Sequence, residues 1–481
     1  MNNQKTRNGL QRRREFLQLG GAALAFPTII PSRVLGDEAP SKKIALGVIG
    51  CGRIAHSYNV PATLSEDGRK LCSIIAAADV DLWRVRSMRR FLATEKLQGR
   101  DLISDARCVQ DYRVLLDDPA IDGVLICTPD HWHAAMAVEA CVKGKDIFVQ
   151  KPMAMSVGEG RLIVDAVRKY GRIFRGGTQQ RTEEQFLHAV ECVRDGRLGK
   201  VMRVEIGLPE DPPEYNLPVE EPVPPDFNWN LWLGAAPLAP YAQLRSHKRG
   251  SAEKPDVKSR PAWMTIQQYC MGMISNWGAH HIDIGQYGLG YETGGPVRVE
   301  GTTEYPAGRK LWNVHGNCDI TYTYPNGAIM KVGKTRDYPC GVKFIGENGD
   351  WIFCGRGGGA TTTSSDPDVR SRFELGRKKL AASRPELLEG AVKNPIARPL
   401  SHHQEWVQSM RTRKVTSLPV EEVQRSTTTC ILGYTAMTLG RPLSWDAKAE
   451  KFVGDEAANK TLFRDEREGF GVKRLIAEVR P

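Results

Sequence analysis

The chain has 481 residues, 41% of them hydrophobic and 26% charged, values that exclude wholesale disorder and a polytopic membrane protein. Its formal charge is +11, but residues 1–36 carry Lys5, Arg7, Arg12, Arg13, Arg14 and Arg33 against Glu15. The +6 left on the remainder is modest and holds no run of five or six like charges, which argues against a nucleic-acid partner.

The eleven cysteines are odd in number and form no CxxC pair, which argues against a zinc ribbon, an iron–sulfur site or a disulfide scaffold. At the N-terminus, Arg12-Arg13-Arg14-Glu15-Phe16-Leu17 leads into a weakly apolar stretch ending at Phe26 and Pro27. That stretch is far short of the roughly 20 residues needed to span a bilayer. It reads as a twin-arginine export signal, with residues 1–41 as signal and linker and a periplasmic or otherwise exported mature protein.

Residues 42–174 read as a dinucleotide-binding domain. The apolar run Ile44–Ile49 enters Gly50-Cys51-Gly52-Arg53-Ile54-Ala55, a G-x-G-x-x-A pattern. The first glycine permits the tight turn, the second admits a pyrophosphate, and the small third residue lets the helix pack on the strand. A second apolar run ends at Asp79, placed to bind a ribose 2′-hydroxyl and so to favour NAD, with NADP as the alternative. A third run ends in Thr128-Pro129-Asp130-His131-Trp132-His133, and a fourth in Gln150-Lys151-Pro152. Helical periodicity follows each, which describes a doubly wound parallel sheet with ligands beyond the carboxyl ends of its strands.

Residues 175–481 change in texture. A helix (183–195) and a strand (201–206) precede a proline-rich segment, read as an extended surface arm or lid. Residues 275–287 read as one helix with Asn276, His280, Asp283 and Tyr287 on a single polar face lining a pocket. Alternating runs from Cys318 to Gly346, with a Pro325-Asn326-Gly327 turn, predict an antiparallel sheet. Residues 355–400 read as loop, and helices over 402–411 and 421–439 close the fold.

These motifs together resemble the Gfo/Idh/MocA oxidoreductases, through Gly50-x-Gly52-x-x-Ala55, Thr128-Pro129, Lys151-Pro152, His280-x-x-Asp283 and the closing Gly440-Arg441-Pro442 segment. The resemblance implies a Rossmann domain and a C-terminal α/β domain with a large, mostly antiparallel open sheet that often mediates dimers or tetramers. It also implies hydride transfer between a sugar or polyol carbon and a nicotinamide. The family pattern is usually Glu-Lys-Pro, with Asp four residues before the histidine; here Gln150 and Asn276 stand in those places. Losing both carboxylates lowers the tendency of Lys151 and His280 to be charged.

The expected roles follow. His280 is the base for the hydroxyl proton, Lys151 the donor to the reacting oxygen, Asn276 a substrate-orienting group, and Asp283 a partner of His280 or of a sugar hydroxyl. Gly50, Gly52, Arg53, Ile54, Ala55, Asp79, Thr128, Pro129, His133, Gln150 and Lys151 form the cofactor site. His281 is expected to be structural. No metal is expected, because His133, His280, Asp283, His402 and His403 lack ligand spacing such as HExxH. An exported enzyme finds no pool of free dinucleotide, so it must keep and restore its own. That leaves a coupled oxidoreductase, a redox-neutral glycoside-cleaving enzyme passing through a keto-sugar, or a degenerate cofactor-binding protein.

Overall fold

The computed structural model describes residues 43–209, 216–250, 256–257, 259–308, 310–356, 379–398 and 401–480. Residues 1–42, where an export signal is expected, and the stretch 357–378 lie outside them.

The first sheet has six parallel strands in the order β3-β2-β1-β4-β5-β6. They are β1 (Ile44–Ile49), β2 (Cys72–Ala78), β3 (Cys108–Val109), β4 (Gly123–Ile126), β5 (Asp146–Val149) and β6 (Phe174–Gly176). The order reverses between β1 and β4, and a crevice opens there beyond the strand ends. These strands are near-continuous apolar runs because both sheet faces are covered.

Helices of eleven or more described residues are α1 (Leu82–Leu92), α2 (Asp130–Val142), α3 (Val157–Lys169), α4 (Glu184–Arg194), α5 (Gly278–Gly288), α6 (His402–Thr412) and α7 (Val420–Leu439). The late helix α6 packs on the first sheet: Trp406, Val407 and Met410 share a core with Leu46, Val48 and Leu125. Gly123 permits the approach, since a side chain there would meet Met410 Cε at 2.6 Å.

The second sheet has nine strands in the order β13-β12-β11-β7-β10-β9-β8-β14-β15, antiparallel throughout except for β7 against β10. They are β7 (Val201–Leu208), β8 (Arg298–Thr303), β9 (Cys318–Thr323), β10 (Ile329–Lys334), β11 (Gly341–Gly346), β12 (Trp351–Gly355), β13 (Lys379–Ala382), β14 (Leu443–Asp446) and β15 (Lys451–Phe452). Helices α4, α5 and α7 cover one face, with Phe186, Ile282 and Leu432 in the same core as Val204, Tyr322 and Phe344.

Two expectations need correction. The segment 355–400 is not all loop, because β13 pairs with β12 and adds an edge strand. The helix expected over 275–287 is a short turn, Met273–Asn276, and then α5, joined at Trp277, whose torsions stay near-helical (φ −85°, ψ −35°). After the proline-rich segment, the chain from Asp226 onward builds a core of Phe227, Trp232, Tyr241 and Tyr269 and forms a strap bridged to Asp81 through Phe227. Among the described residues no helix is long and apolar enough to cross a membrane.

Candidate active site

A cavity opens at the carboxyl ends of β1, β2, β4 and β5. Its floor is the glycine turn. Gly50 has φ +87°, and a side chain there would stand 2.7 Å from the Cys127 carbonyl, so glycine alone lets β1 close against β4. Gly52 faces open space: an added Cβ meets no described atom nearer than Arg84 Nη1, at 4.0 Å. Arg53, Ile54, Thr128 and Pro129 also line the cavity, whereas Ala55 is fully buried in the core beneath.

Asp79 stands at the cavity wall just past β2. Its Oδ2 accepts from the Cys51 N–H at 2.8 Å and its Oδ1 from the Asp81 N–H at 3.0 Å, so the carboxylate also fastens β2 to the glycine turn. Burial pushes it up to about 6.

At the other end of the cavity, Lys151 follows β5 through Gln150. Its Nζ donates to Asn276 Oδ1 at 2.9 Å, and both residues line the cavity. The Lys151–Pro152 peptide is cis. Gln150 donates to Asn59 Oδ1 at 2.9 Å, and His403 Nε2 meets the same oxygen at 3.1 Å. His133 places its ring nitrogens 2.7 Å from the Pro152 carbonyl and 2.9 Å from the Thr128 carbonyl. It therefore clamps the loops after β4 and β5 together at the cavity wall, and both ring nitrogens are taken by backbone.

His280 and Asp283 are not among the described residues lining this cavity. His280 is fully buried in the first turn of α5, and burial, reinforced by the charges of Arg356 and Lys151, holds it well below the ordinary imidazole value. Asp283 does not serve His280. Arg181 grips it in two hydrogen bonds, Nε to Oδ2 at 2.7 Å and Nη2 to Oδ1 at 2.9 Å. Arg181 also reaches Glu422 at 3.0 Å and lies 3.7 Å over the Tyr287 ring. The polar stripe expected over 275–287 is therefore split between a cavity residue, Asn276, and a sealed ion pair.

His281 is buried against the Gly207 carbonyl at 3.2 Å, and burial pushes it down to about 3. His402 is fixed between Gly176 O at 2.6 Å and Arg175 Nη2 at 2.9 Å, and His403 stacks on Phe148. Among the described residues no group of three His, Cys, Asp or Glu side chains is placed to hold a metal ion.

Sequence reasoning missed the strap's share of the cavity, to which it contributes Trp232, His247, Trp263 and Met264. It also missed Asp81, which accepts from His247 Nε2 at 2.9 Å and from Arg249 Nη2 at 2.7 Å. Burial opposes its ionisation, but these two partners outweigh burial and hold it below the ordinary value. Arg84 was missed as well. The signal available was Asp81-x-x-Arg84 opening α1, whose partners lie more than 160 residues away.

The residues present fit a dinucleotide: a glycine face left open, a carboxylate at ribose height after β2, and a buried guanidinium with unused donors. Fold and cavity thus define an NAD-binding protein of the oxidoreductase class. Residues 44–178 match the oxidoreductase family model described as an NAD-binding Rossmann fold, and residues 214–353 and 378–472 match that family's C-terminal alpha/beta domain. The chain belongs to the Gfo/Idh/MocA oxidoreductase family.

It is 28% identical over 171 residues to myo-inositol 2-dehydrogenase of Thermotoga maritima, 35% of this chain and 46% of that protein. It is 28% identical over 158 residues to scyllo-inositol 2-dehydrogenase (NAD(+)) of Bacillus subtilis, 33% of this chain and 42% of that protein. The chain thus spans about half the length of these curated relatives. Aldose-aldose oxidoreductase from Caulobacter crescentus shares the fold at a TM-score of 0.56 and 16% identity, covering 84% of this chain and 99% of that one.

Proposed function

We propose that this is an exported oxidoreductase that moves a hydride between a hydroxyl-bearing carbon of a sugar or polyol and a nicotinamide that it keeps bound. The observation that carries the reading is Lys151, held by Asn276 at 2.9 Å on the wall of the cavity that also contains the glycine turn. When bound, the nicotinamide supplies the hydride acceptor and donor. Gly50, Gly52, Arg53, Ile54, Thr128 and Pro129 would hold it, with Asp79 accepting from a ribose hydroxyl. Lys151 Nζ hydrogen-bonds the reacting oxygen and stabilises negative charge on it. Asn276 orients that nitrogen. His280 is held neutral by burial and by the charges of Arg356 and Lys151, which oppose its taking up the hydroxyl proton.

The Arg13-Arg14-x-Phe16-Leu17 segment supports export, and export demands a nucleotide regenerated within each cycle. The strap supports its retention: Asp81 to His247 and Arg249, and Arg249 to Asp226 at 2.9 Å, tie the cover to the β2 end of the cavity. The open nine-stranded sheet is the surface on which a homo-oligomer forms. The test is to denature the purified full chain, identify the released nucleotide, and analyse products from aldoses, polyols and glycosides. NAD(H) together with a lactone or ketose is expected. A glycoside cleaved without net oxidation moves the assignment to the redox-neutral alternative, and a chain that neither carries nor binds NAD overturns the reading.

A further inference from the structure

Arg84 lies in the first turn of α1, is 4% exposed, and lines the cavity between Asp79 and the strap. Its Nη2 donates to the carbonyls of Lys248 at 3.0 Å and Asp256 at 3.3 Å, both in the strap. Its Nε and Nη1 have no hydrogen-bond partner among the described residues. The neighbouring carboxylates are engaged elsewhere, Asp79 by two backbone N–H groups and Asp81 by Trp83 N–H, His247 and Arg249. A guanidinium has five donors and keeps its charge, so enclosing it with two of its nitrogens unused is unfavourable unless an anion completes the site.

The position of the open donors says what that anion is. Nη1 stands 4.0 Å from the point a Gly52 side chain would occupy, on the face that the turn leaves free for phosphate. A guanidinium N–H donates a charge-assisted hydrogen bond to a phosphate oxygen.

We propose that Arg84 is a phosphate ligand of the bound dinucleotide, its Nη1 donating to a phosphate oxygen while its Nη2 anchors the strap. The inference rests on the dinucleotide reading of the cavity and deepens it, since one side chain joins the ligand to the cover that retains it. The phosphate has two sources, the pyrophosphate common to NAD and NADP and the ribose 2′-phosphate of NADP alone.

The test is calorimetric titration of the nucleotide-stripped full chain, and of its Arg84→Gln and Arg84→Lys variants, with NADH and NADPH. Melting temperatures are read with and without nucleotide. Arg84→Gln is expected to weaken binding at least tenfold, Arg84→Lys less, with the apo melting temperature of Arg84→Gln equal to or above that of the parent chain. Loss toward both nucleotides assigns the pyrophosphate; loss toward NADPH alone assigns the 2′-phosphate. Affinities within twofold of the parent for both nucleotides overturn the proposal. Should Arg84→Gln not fold, Arg84→Lys with unchanged affinities and unchanged nucleotide-induced melting shifts overturns it equally. A parent chain that binds neither nucleotide overturns the dinucleotide reading and Arg84's role with it.

Discussion

Two buried cations flank the start of α5, and their surroundings differ in kind. Arg181 is enclosed and gripped by Asp283 and Glu422, so its charge is neutralised within the fold. Lys151 opens on the cavity and holds the neutral amide oxygen of Asn276. A buried cation matched by carboxylates organises structure, and removing one partner leaves an uncompensated charge. A cation at a cavity wall beside an amide keeps its field directed at whatever enters. Arg84, with carbonyls on one side and open donors on the other, belongs with Lys151.

The contrast is broken most directly at Lys151. Lys151→Ala should lower turnover by about 10³-fold, the scale of losing a preorganised donor, with nucleotide content unchanged by chromatography after denaturation. Turnover within tenfold of the parent would remove Lys151 from its role. Asp283→Asn should do the converse. It should lower the unfolding free energy by about 3 kcal/mol in denaturant titration while leaving kcat per folded molecule within about twofold. A large kcat loss with no stability loss would reverse the assignment of the two pairs.

Asn276→Ala should cost about 10- to 30-fold in kcat with little change in stability, the effect of one charge-assisted hydrogen bond. Equal losses of activity and folding would make Asn276 a structural residue like Asp283. The smallest effect sharpens the nucleotide end. Folded Asp79 holds its proton up to about 6, whereas an ordinary aspartate releases it at 3.8. Between those values the native state binds more protons than the unfolded chain, so this group makes stability fall as pH rises through the window. In the nucleotide-stripped chain, Asp79→Asn should remove that fall, on the order of 1 kcal/mol, as read from melts at pH 4.5 and 7. An unchanged slope would show that Asp79 ionises normally.

The nucleotide end was legible because its signals are local. Apolar runs mark β1, β2, β4 and β5, and Gly50 needs its positive φ whatever lies beyond. The substrate end was not. The α5 stripe obeyed helical period, but Arg181, a hundred residues earlier, decides what Asp283 does. Arg84 carries no local sign of its role, because the carbonyls that bind it come from Lys248 and Asp256. Period and motif locate the backbone; long-range partners assign a buried charge, and only the folded chain supplies them.

The central claim is that a hydride passes from a sugar or polyol carbon to a nicotinamide retained beside Lys151. It is tested by incubating the nucleotide-loaded full chain with sugars deuterated at each carbinol carbon, denaturing it, and weighing the released nicotinamide. The account predicts deuterium on the nicotinamide ring from one labelled carbon of a substrate sugar, absent in Lys151→Ala. A chain that consumes the sugar while its nucleotide stays unlabelled from every position contradicts it.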